Sequence, residues 1–300
     1  MNFSLCCISN ILAEQGIKFR KITYKSFSNL SKNDGLNKIS EIFIHNLNVT
    51  LKTIQQCITI GIKGYRMSSD LVPLITHPEI NIKMIELPKW DKIQEKFQEL
   101  SNCIVSSGMR ISAHPSEYIT LTSDNDQSIK NSISDLELHA EIFDRLNLPC
   151  DYNSPLNIHI RKDGDIENLY KSFMANFDKL SDRVKKRLVL ENNDNVNGTW
   201  SIKNLVNIFN KRENFPITFD NLHHKFLSGN LSEQEAFEMS YNTWNCQPIF
   251  HYSESKDGTK AHADMPDFLP NNYDKDVVFD IELKGKDFAI LKLKELLKNC

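Results

Sequence analysis

Six residues of metal-ligand type recur along this chain in one setting. His114, His159, Glu191, Asp220, His251 and Glu282 each stand where a short apolar run stops. Pro216-Ile217-Thr218-Phe219-Asp220-Asn221-Leu222-His223-His224 shows the construction most plainly. Three β-formers end in an acid, and histidines follow three and four residues on. A carboxylate and a neutral imidazole are ordinary ligands of hard or borderline divalent metals. One such stretch is equally a surface turn with an Asx cap. Six in succession are not what solvated loop acids produce, and His223 and His262 add two imidazoles. The chain has nine histidines, and five of them stand in these positions. Three acids and five histidines exceed the needs of one ion and suit two or three, with Glu191 and Asp220 placed to bridge. Paired ions suit in-line displacement at phosphorus. The mixed N and O donors fit Mn²⁺ first and Zn²⁺ second, and the absence of a cysteine ligand disfavours a structural zinc site.

The elements that must position these residues follow from periodicity. Strands are expected at 3–8, 62–67, 110–113, 156–158, 187–190, 217–219, 248–250 and 277–281. Between them, apolar residues at helical spacing predict helices over 36–60, 89–107, 129–146, 167–184, 201–209 and 232–241, and a C-terminal helix over 286–298. Gly61 and Gly108 close two of them. Eight strands alternating with helices predict a parallel sheet closed into a TIM-type (β/α)8 barrel, a single domain over residues 1–300. In that fold the strand ends share one face. A doubly wound open sheet is the alternative, although the Gly-rich turn it often carries is absent. The segment 18–35 reads as a polar connector. Arg183-Val-Lys185-Lys186-Arg187 precedes a strand, at the opposite end of the barrel, and reads as a solubilising surface.

Composition narrows the class. A net charge of −3, 40% hydrophobic and 25% charged residues are ordinary for a globular protein. No run approaches the roughly 18 apolar residues of a membrane span. Met1 to Ile8 lacks a basic region followed by an apolar core, so no signal peptide is expected. Seven scattered cysteines without a C-x-x-C pair fit a reducing, intracellular setting. The near-neutral charge carries no global nucleic-acid footprint, although bound cations would add positive charge locally. The asparagine doublets Asn192-Asn193 and Asn271-Asn272 read as compositional bias.

Taken together, several motifs resemble the UV damage endonuclease family, relatives of the endonuclease IV barrels. They are His114-Pro-Ser-Glu-Tyr118, Leu190-Glu191-Asn-Asn-Asp194, Phe219-Asp220-Asn-Leu-His223-His224, His251-Tyr-Ser253, Ala261-His262-Ala263 and Glu282-Leu-Lys-Gly-Lys286. Ile44-His45-Asn46-Leu47 and Tyr65-Arg66-Met-Ser-Ser69 resemble its N-terminal half, so the likeness runs from Asn10 to Lys286 in family order. The resemblance implies a metal-dependent nick in damaged duplex DNA immediately 5′ of a UV photoproduct, and at abasic sites as an extension. It implies one ion on His114, His159 and Glu191, and a central one on Glu191, Asp220, His251 and Glu282. A third would lie on His223 and His262. His45 would stand near the scissile phosphate, joining Glu191, Asp220 and Glu282 as catalytic groups. Glu117 and Tyr118 would probe the lesion. Three positions depart from the family pattern: Glu117 replaces a glutamine, Ile249 a lysine near the third ion, and Cys6 an aromatic.

Other residues after strand ends are candidates for DNA contact: Asn10, Arg66, Arg161, Lys284 and Lys286, with Lys162 beside them. His224 is assigned to orienting a ligand or touching DNA. The expected partner is damaged double-stranded DNA, the expected state a monomer, and no membrane is involved. Cytoplasm, nucleoid and nucleus are not distinguished. The competing enzyme reading is a divalent-metal sugar or sugar-phosphate isomerase or lyase on a similar barrel, which needs fewer ligands.

Overall fold

The apolar runs pair side by side in one parallel sheet. A computed structural model describes residues 1–80, 82–116 and 118–299. Its strands are β1 (Asn2–Cys6), β2 (Gly64–Met67), β3 (Arg110–Ala113), β4 (Leu156–His159), β5 (Leu188–Glu191), β6 (Ile217–Thr218), β7 (Ile249–Tyr252) and β8 (Val278–Ile281). They run β6-β5-β4-β3-β2-β1-β8-β7, so each strand adjoins its sequence neighbours and β8 returns to β1. This is the expected TIM-type barrel and excludes the doubly wound sheet. The ring closes between β6 and β7 at one parallel bridge, Asp220 to His251, where the His251 N–H donates to the Phe219 carbonyl at 2.9 Å. Below that bridge β6 leans on a loop instead. Its Ile217 N–H donates to Thr243 Oγ1 at 2.8 Å, and Trp244 Nε1 donates to the Ile217 carbonyl at 2.9 Å.

Side-chain alternation divides the strands into two faces. Leu5, Tyr65, Ile111, Ile158, Leu190, Phe250 and Phe279 are buried outward against the helices. Ser4, Arg66, Ser112, Asn157, Asp220, His251 and Asp280 point to the barrel axis and are buried there. The upper interior is therefore polar, where such barrels are usually filled with branched apolar residues. Gly64 is needed for the tight β1–β2 approach, because a Cβ there would stand 2.6 Å from the Ser4 Cβ.

The helical layer departs from the sequence expectations in local ways. The first long helix spans Lys32–Thr59, starting earlier than 36, because the Ser31 hydroxyl caps the Asp34 N–H at 3.2 Å. The expected helix over 167–184 is two pieces, Ile166–Phe177 and Asp182–Lys185. A short helix, Asn221–Phe226, follows β6 directly. No helix links β7 to β8 among the described residues. Arg187 corrects the reading of 183–187 as a solvated surface. Its side chain is 0% exposed, pairs with Asp144 at 2.7 Å and donates to the Pro149 and Leu148 carbonyls. A guanidinium that ties down a loop needs burial, and the run enters the barrel at that residue. The C-terminal helix spans Asp287–Lys298. Among the described residues no helix is long and apolar enough to cross a membrane.

Candidate metal centre

Register lines the ligand-type residues up. His159 on β4 pairs with Glu191 on β5. Asp220 bridges to His251, and His251 pairs with Asp280 on β8. Glu282 lies two residues further, hence on the same side and one layer higher. The result is three groups whose ligand atoms lie within 4.8 Å of one another: His114, His159 and Glu191; Glu191, Asp220 and His223; Asp220, His251 and Glu282. Glu191 belongs to the first and second groups and Asp220 to the second and third, so the three form a string with carboxylates at its joints.

The ring nitrogens are oriented from behind. His114 Nδ1 meets the Pro115 carbonyl at 3.0 Å, which makes Nδ1 the donor and leaves Nε2 free 3.2 Å from Glu191. His159 Nδ1 meets Asn193 Oδ1 at 3.0 Å, and the Asn193 amide is fixed because its Nδ2 donates to the Ile160 carbonyl. His223 Nδ1 meets the Asn192 carbonyl at 2.9 Å. Supporting bonds of this kind set the tautomer that a metal ligand requires. Asp220 is both an N-cap and a strand end. Its Oδ1 accepts the His223 N–H at 2.7 Å, while its Oδ2 is buried without a hydrogen-bond partner. His251 Nδ1 lies 3.1 Å from a Glu191 oxygen yet makes no hydrogen bond. Buried ligand-type atoms crowded on one another suit a bound cation, which would take the place of the proton on the imidazole. The donor set therefore fits divalent metal.

Electrostatics point the same way. Burial alone would raise the pKa of Glu191, but the imidazoles of His159 and His251, with His114 and His223 beside it, draw it well below the ordinary carboxylate range. Burial pushes Asp220 up, and the carboxylates of Glu282 and Glu191 add to that. Burial drives His159 down to about 3, which keeps that ring neutral. Against burial, Glu191 and Glu282 hold His251 up to about 9. Arg66 is 8% exposed and forms an ion pair with Glu282. That guanidinium and His251 outweigh the burial of Glu282 and lower its pKa.

The remaining candidates divide. Arg161 lines the metal pocket together with Arg66, His114, Glu191 and Glu282. Arg66, expected among the DNA contacts, is turned inward by its pairing with Glu282. Tyr118 projects from the loop after β3 with 83% of its surface exposed. Glu117 lies outside the described residues. His262 comes within 3.7 Å of Glu282 but joins none of the three groups among the described residues, and His223 groups with Glu191 and Asp220 instead. His45 meets the Lys18 carbonyl through Nε2 at 2.9 Å. His224 is buried, with its ring packed on Phe219 at 5.6 Å. Asn10 donates to the Lys284 carbonyl at 2.9 Å through its side chain, and its backbone N–H donates to Asp287 Oδ1 at 2.9 Å. Lys286 lines an adjoining cavity with Lys18 and Lys21.

Several working residues escaped the sequence reading. Asn192 grips Asp220 at both backbone groups: its Oδ1 accepts the Asp220 N–H at 2.9 Å and its Nδ2 donates to the Asp220 carbonyl at 3.1 Å. Asn193 holds His159, and Asn157 donates to Glu191. The Asn192-Asn193 doublet is thus structural equipment, not compositional drift. Asp280 lies beneath the site, 3.3 Å from Ser112 Oγ and 3.7 Å from His251 Nε2. The signal for it was a lone acid inside the apolar run Val277 to Ile281.

A parallel eight-stranded barrel with a string of imidazole and carboxylate groups at its C-terminal mouth is the framework of a TIM-barrel enzyme whose site could hold divalent metal. Within it the assignment is narrower. The family described as UV-endonuclease UvdE matches residues 1–300, and the chain belongs to that family, which makes it a nuclease and so a hydrolase. A UV DNA damage endonuclease of Bacillus cereus is 33% identical over 295 residues, covering 91% of this chain and 87% of that one. The crystal structure of SacUVDE superposes with a TM-score of 0.84 at 26% identity, covering 100% of this chain and 98% of that one. Endonuclease IV from Thermus thermophilus shares the fold, with a TM-score of 0.58 at 14% identity over 84% of this chain and 95% of that one.

Proposed function

We propose that this protein repairs DNA by nicking damaged duplex immediately 5′ of a UV photoproduct, and at abasic sites as a secondary activity. It acts as a monomer with two or three divalent ions, Mn²⁺ first and Zn²⁺ second. The observation that carries the reading is the sharing of Glu191 and Asp220 between successive ligand groups. A site for one ion has no need of two joints.

The ions would be held by His114, His159, Glu191, Asp220, His223, His251 and Glu282, with His262 closing the outer end beside Glu282. Held there, they supply Lewis-acid charge to the scissile phosphate. The chain's own groups do the rest. Glu191, kept ionised, holds its four imidazole neighbours around one point. Asn193 and the Pro115 carbonyl keep His159 and His114 in the tautomers that leave Nε2 free. Arg161 takes a backbone phosphate at the pocket wall, with Lys284 and Lys286 further along the same face. Tyr118, standing free of the surface, enters the distorted duplex as the lesion probe, beside Glu117. His45 contributes near the phosphate once released from the Lys18 carbonyl, and Asn10 and His224 act through the backbone and rings they hold.

The test is supercoiled plasmid, irradiated or not, with chelator and with Mn²⁺ restored. Irradiated plasmid should be relaxed only with metal, and Glu191→Gln should lower nicking by about 10³-fold or more, the scale at which a group acting in the transition state registers. Relaxation untouched by chelator, or Glu191→Gln cutting at the normal rate, would refute the reading. Relaxation of neither plasmid would favour sugar chemistry.

A further inference from the structure

We propose that Val196, at the tip of a loop whose Asp194 and Asn195 line the metal pocket, is a DNA contact: an apolar side chain pressed into the duplex where a lesion has opened it. This rests on the reading of damaged DNA as substrate.

The loop over 192–200 leaves β5 just after Glu191. Its Asp194 and Asn195 line the metal pocket beside Glu191 and His223. Its tip is a turn closed by the Gly198 N–H donating to the Asn195 carbonyl at 2.7 Å. Val196 stands at that tip with 59% of its surface exposed. Asn, Asp, Gly, Ser and Pro usually fill such turns because they bond to or pre-shape their own backbone, and a valine does neither.

The turn is also rigid. Asp163, from the loop after β4, accepts the Thr199 N–H at 2.7 Å through Oδ1 and the Asn195 Nδ2 at 2.6 Å through Oδ2. The Gly164 N–H donates to Thr199 Oγ1, Trp200 Nε1 to the Lys162 carbonyl, and the Asn193 N–H to the Trp200 carbonyl. A Cβ on Gly198 would lie 2.8 Å from the Asn195 carbonyl oxygen, so the shape depends on glycine there. Ordering a loop is part of the cost of binding, and here it is met in advance. The nearby acids do not repel a phosphate chain at the tip. Asp194 lies 3.4 Å from Lys260, and Asp163 keeps its charge but turns both oxygens into the bracing, toward the Thr199 N–H and the Asn195 amide.

Placement completes the case. Tyr118 follows β3, Arg161 follows β4 and Val196 follows β5, and these are adjacent strands. A duplex whose phosphate sits on Arg161 meets an exposed aromatic on one side and the braced valine on the other. Two apolar prongs flanking a phosphate grip suit a duplex already unstacked by damage, which exposes sugar and base faces to them.

The experiment is fluorescence anisotropy on an end-labelled duplex, intact or carrying one photoproduct, with the full chain in a Glu191→Gln background so that bound DNA is not cut. Val196→Ser should weaken binding of the damaged duplex about tenfold, the worth of burying part of a valine. Binding of intact duplex should change less than twofold. The slope of log affinity against log salt should stay the same, because no phosphate contact is lost. Val196→Leu should keep most of the affinity. Val196→Ser binding damaged duplex within twofold of the parent would overturn the proposal, as would an equal loss on both duplexes or a changed salt slope. Failure of the parent itself to prefer damaged DNA would instead sink the substrate reading on which this rests.

Discussion

Asn192→Ala tests whether the amide behind Asp220 holds the barrel's closing edge. In the native protein that amide accepts the Asp220 N–H at 2.9 Å and donates a hydrogen bond to the Asp220 carbonyl at 3.1 Å. The carbonyl keeps a second donor, the His224 N–H at 3.0 Å. The N–H has no substitute, and both residues are fully buried. Orphaning a buried donor costs about 1–3 kcal/mol and losing an otherwise satisfied bond about 1 kcal/mol, so roughly 2–4 kcal/mol is expected. For a chain of 300 residues, with an unfolding entropy of about 2.1 cal/mol/K per residue, that is a fall in Tm of roughly 3–6 °C. Melting should be followed by circular dichroism after chelation, so that added metal does not mask the loss. Asn192→Asp should do no better, because it keeps the acceptor for Asp220 N–H but loses the donor and brings another carboxylate near Glu191. Both variants should need more Mn²⁺ for half-saturation, since Asp220 is no longer fixed. A shift in Tm under about 2 °C for Asn192→Ala would refute the reasoning.

Two further predictions concern pH and a distant residue. His251 is held up to about 9, and His223 is raised as well by Asp220 and Glu191 against burial. A raised folded pKa stabilises below the unfolded value, about 6.5 for histidine, and that stabilisation is lost as pH rises through the folded value. Chelated protein should therefore melt lower at pH 8.5 than at pH 6.5, and a flat or rising Tm across that window would contradict it. Arg187→Ala should cost about 2–4 kcal/mol, because it takes the donors from the Pro149 and Leu148 carbonyls while Asp144, partly exposed, keeps Arg183 at 3.6 Å, and Arg187→Lys should rescue only part. Melting of Arg187→Ala within 2 °C of the parent would show the buried guanidinium to be dispensable.

Much of the architecture is legible in the sequence, because strand-forming runs and helical spacing leave a periodic trace. The six ligand-type residues that the fold gathers at the strand ends are legible for a related reason: each is a chemical type set against an apolar background. What escapes lacks periodicity. Asn192 and Asn193 act on backbone groups and ring nitrogens, and nothing in a doublet of asparagines says what it will bond. The helix Asn221–Phe226 is hidden because Asp220 looks like the end of a strand, and it is also an N-cap. Arg187 looks like part of a basic surface because burial of a charge depends on partners far along the chain, here Asp144 and the 148–149 carbonyls. His45 and His262 have the right chemistry, but residue type alone does not tell whether a ring will join a ligand group or meet a carbonyl.

The single bridge between β6 and β7 has a consequence for descent. Asp220 and His251 are at once the rungs that shut the cylinder and two members of the reactive string. A lineage drifting away from nuclease activity could discard Tyr118 or Arg161 with no architectural loss. It could also exchange Asp220 and His251, because the rung itself is main chain, the His251 N–H on the Phe219 carbonyl, and survives a change of either side chain. The wall is therefore separable from the chemistry at this mouth, and relatives with a different reaction can keep the same β6–β7 seam.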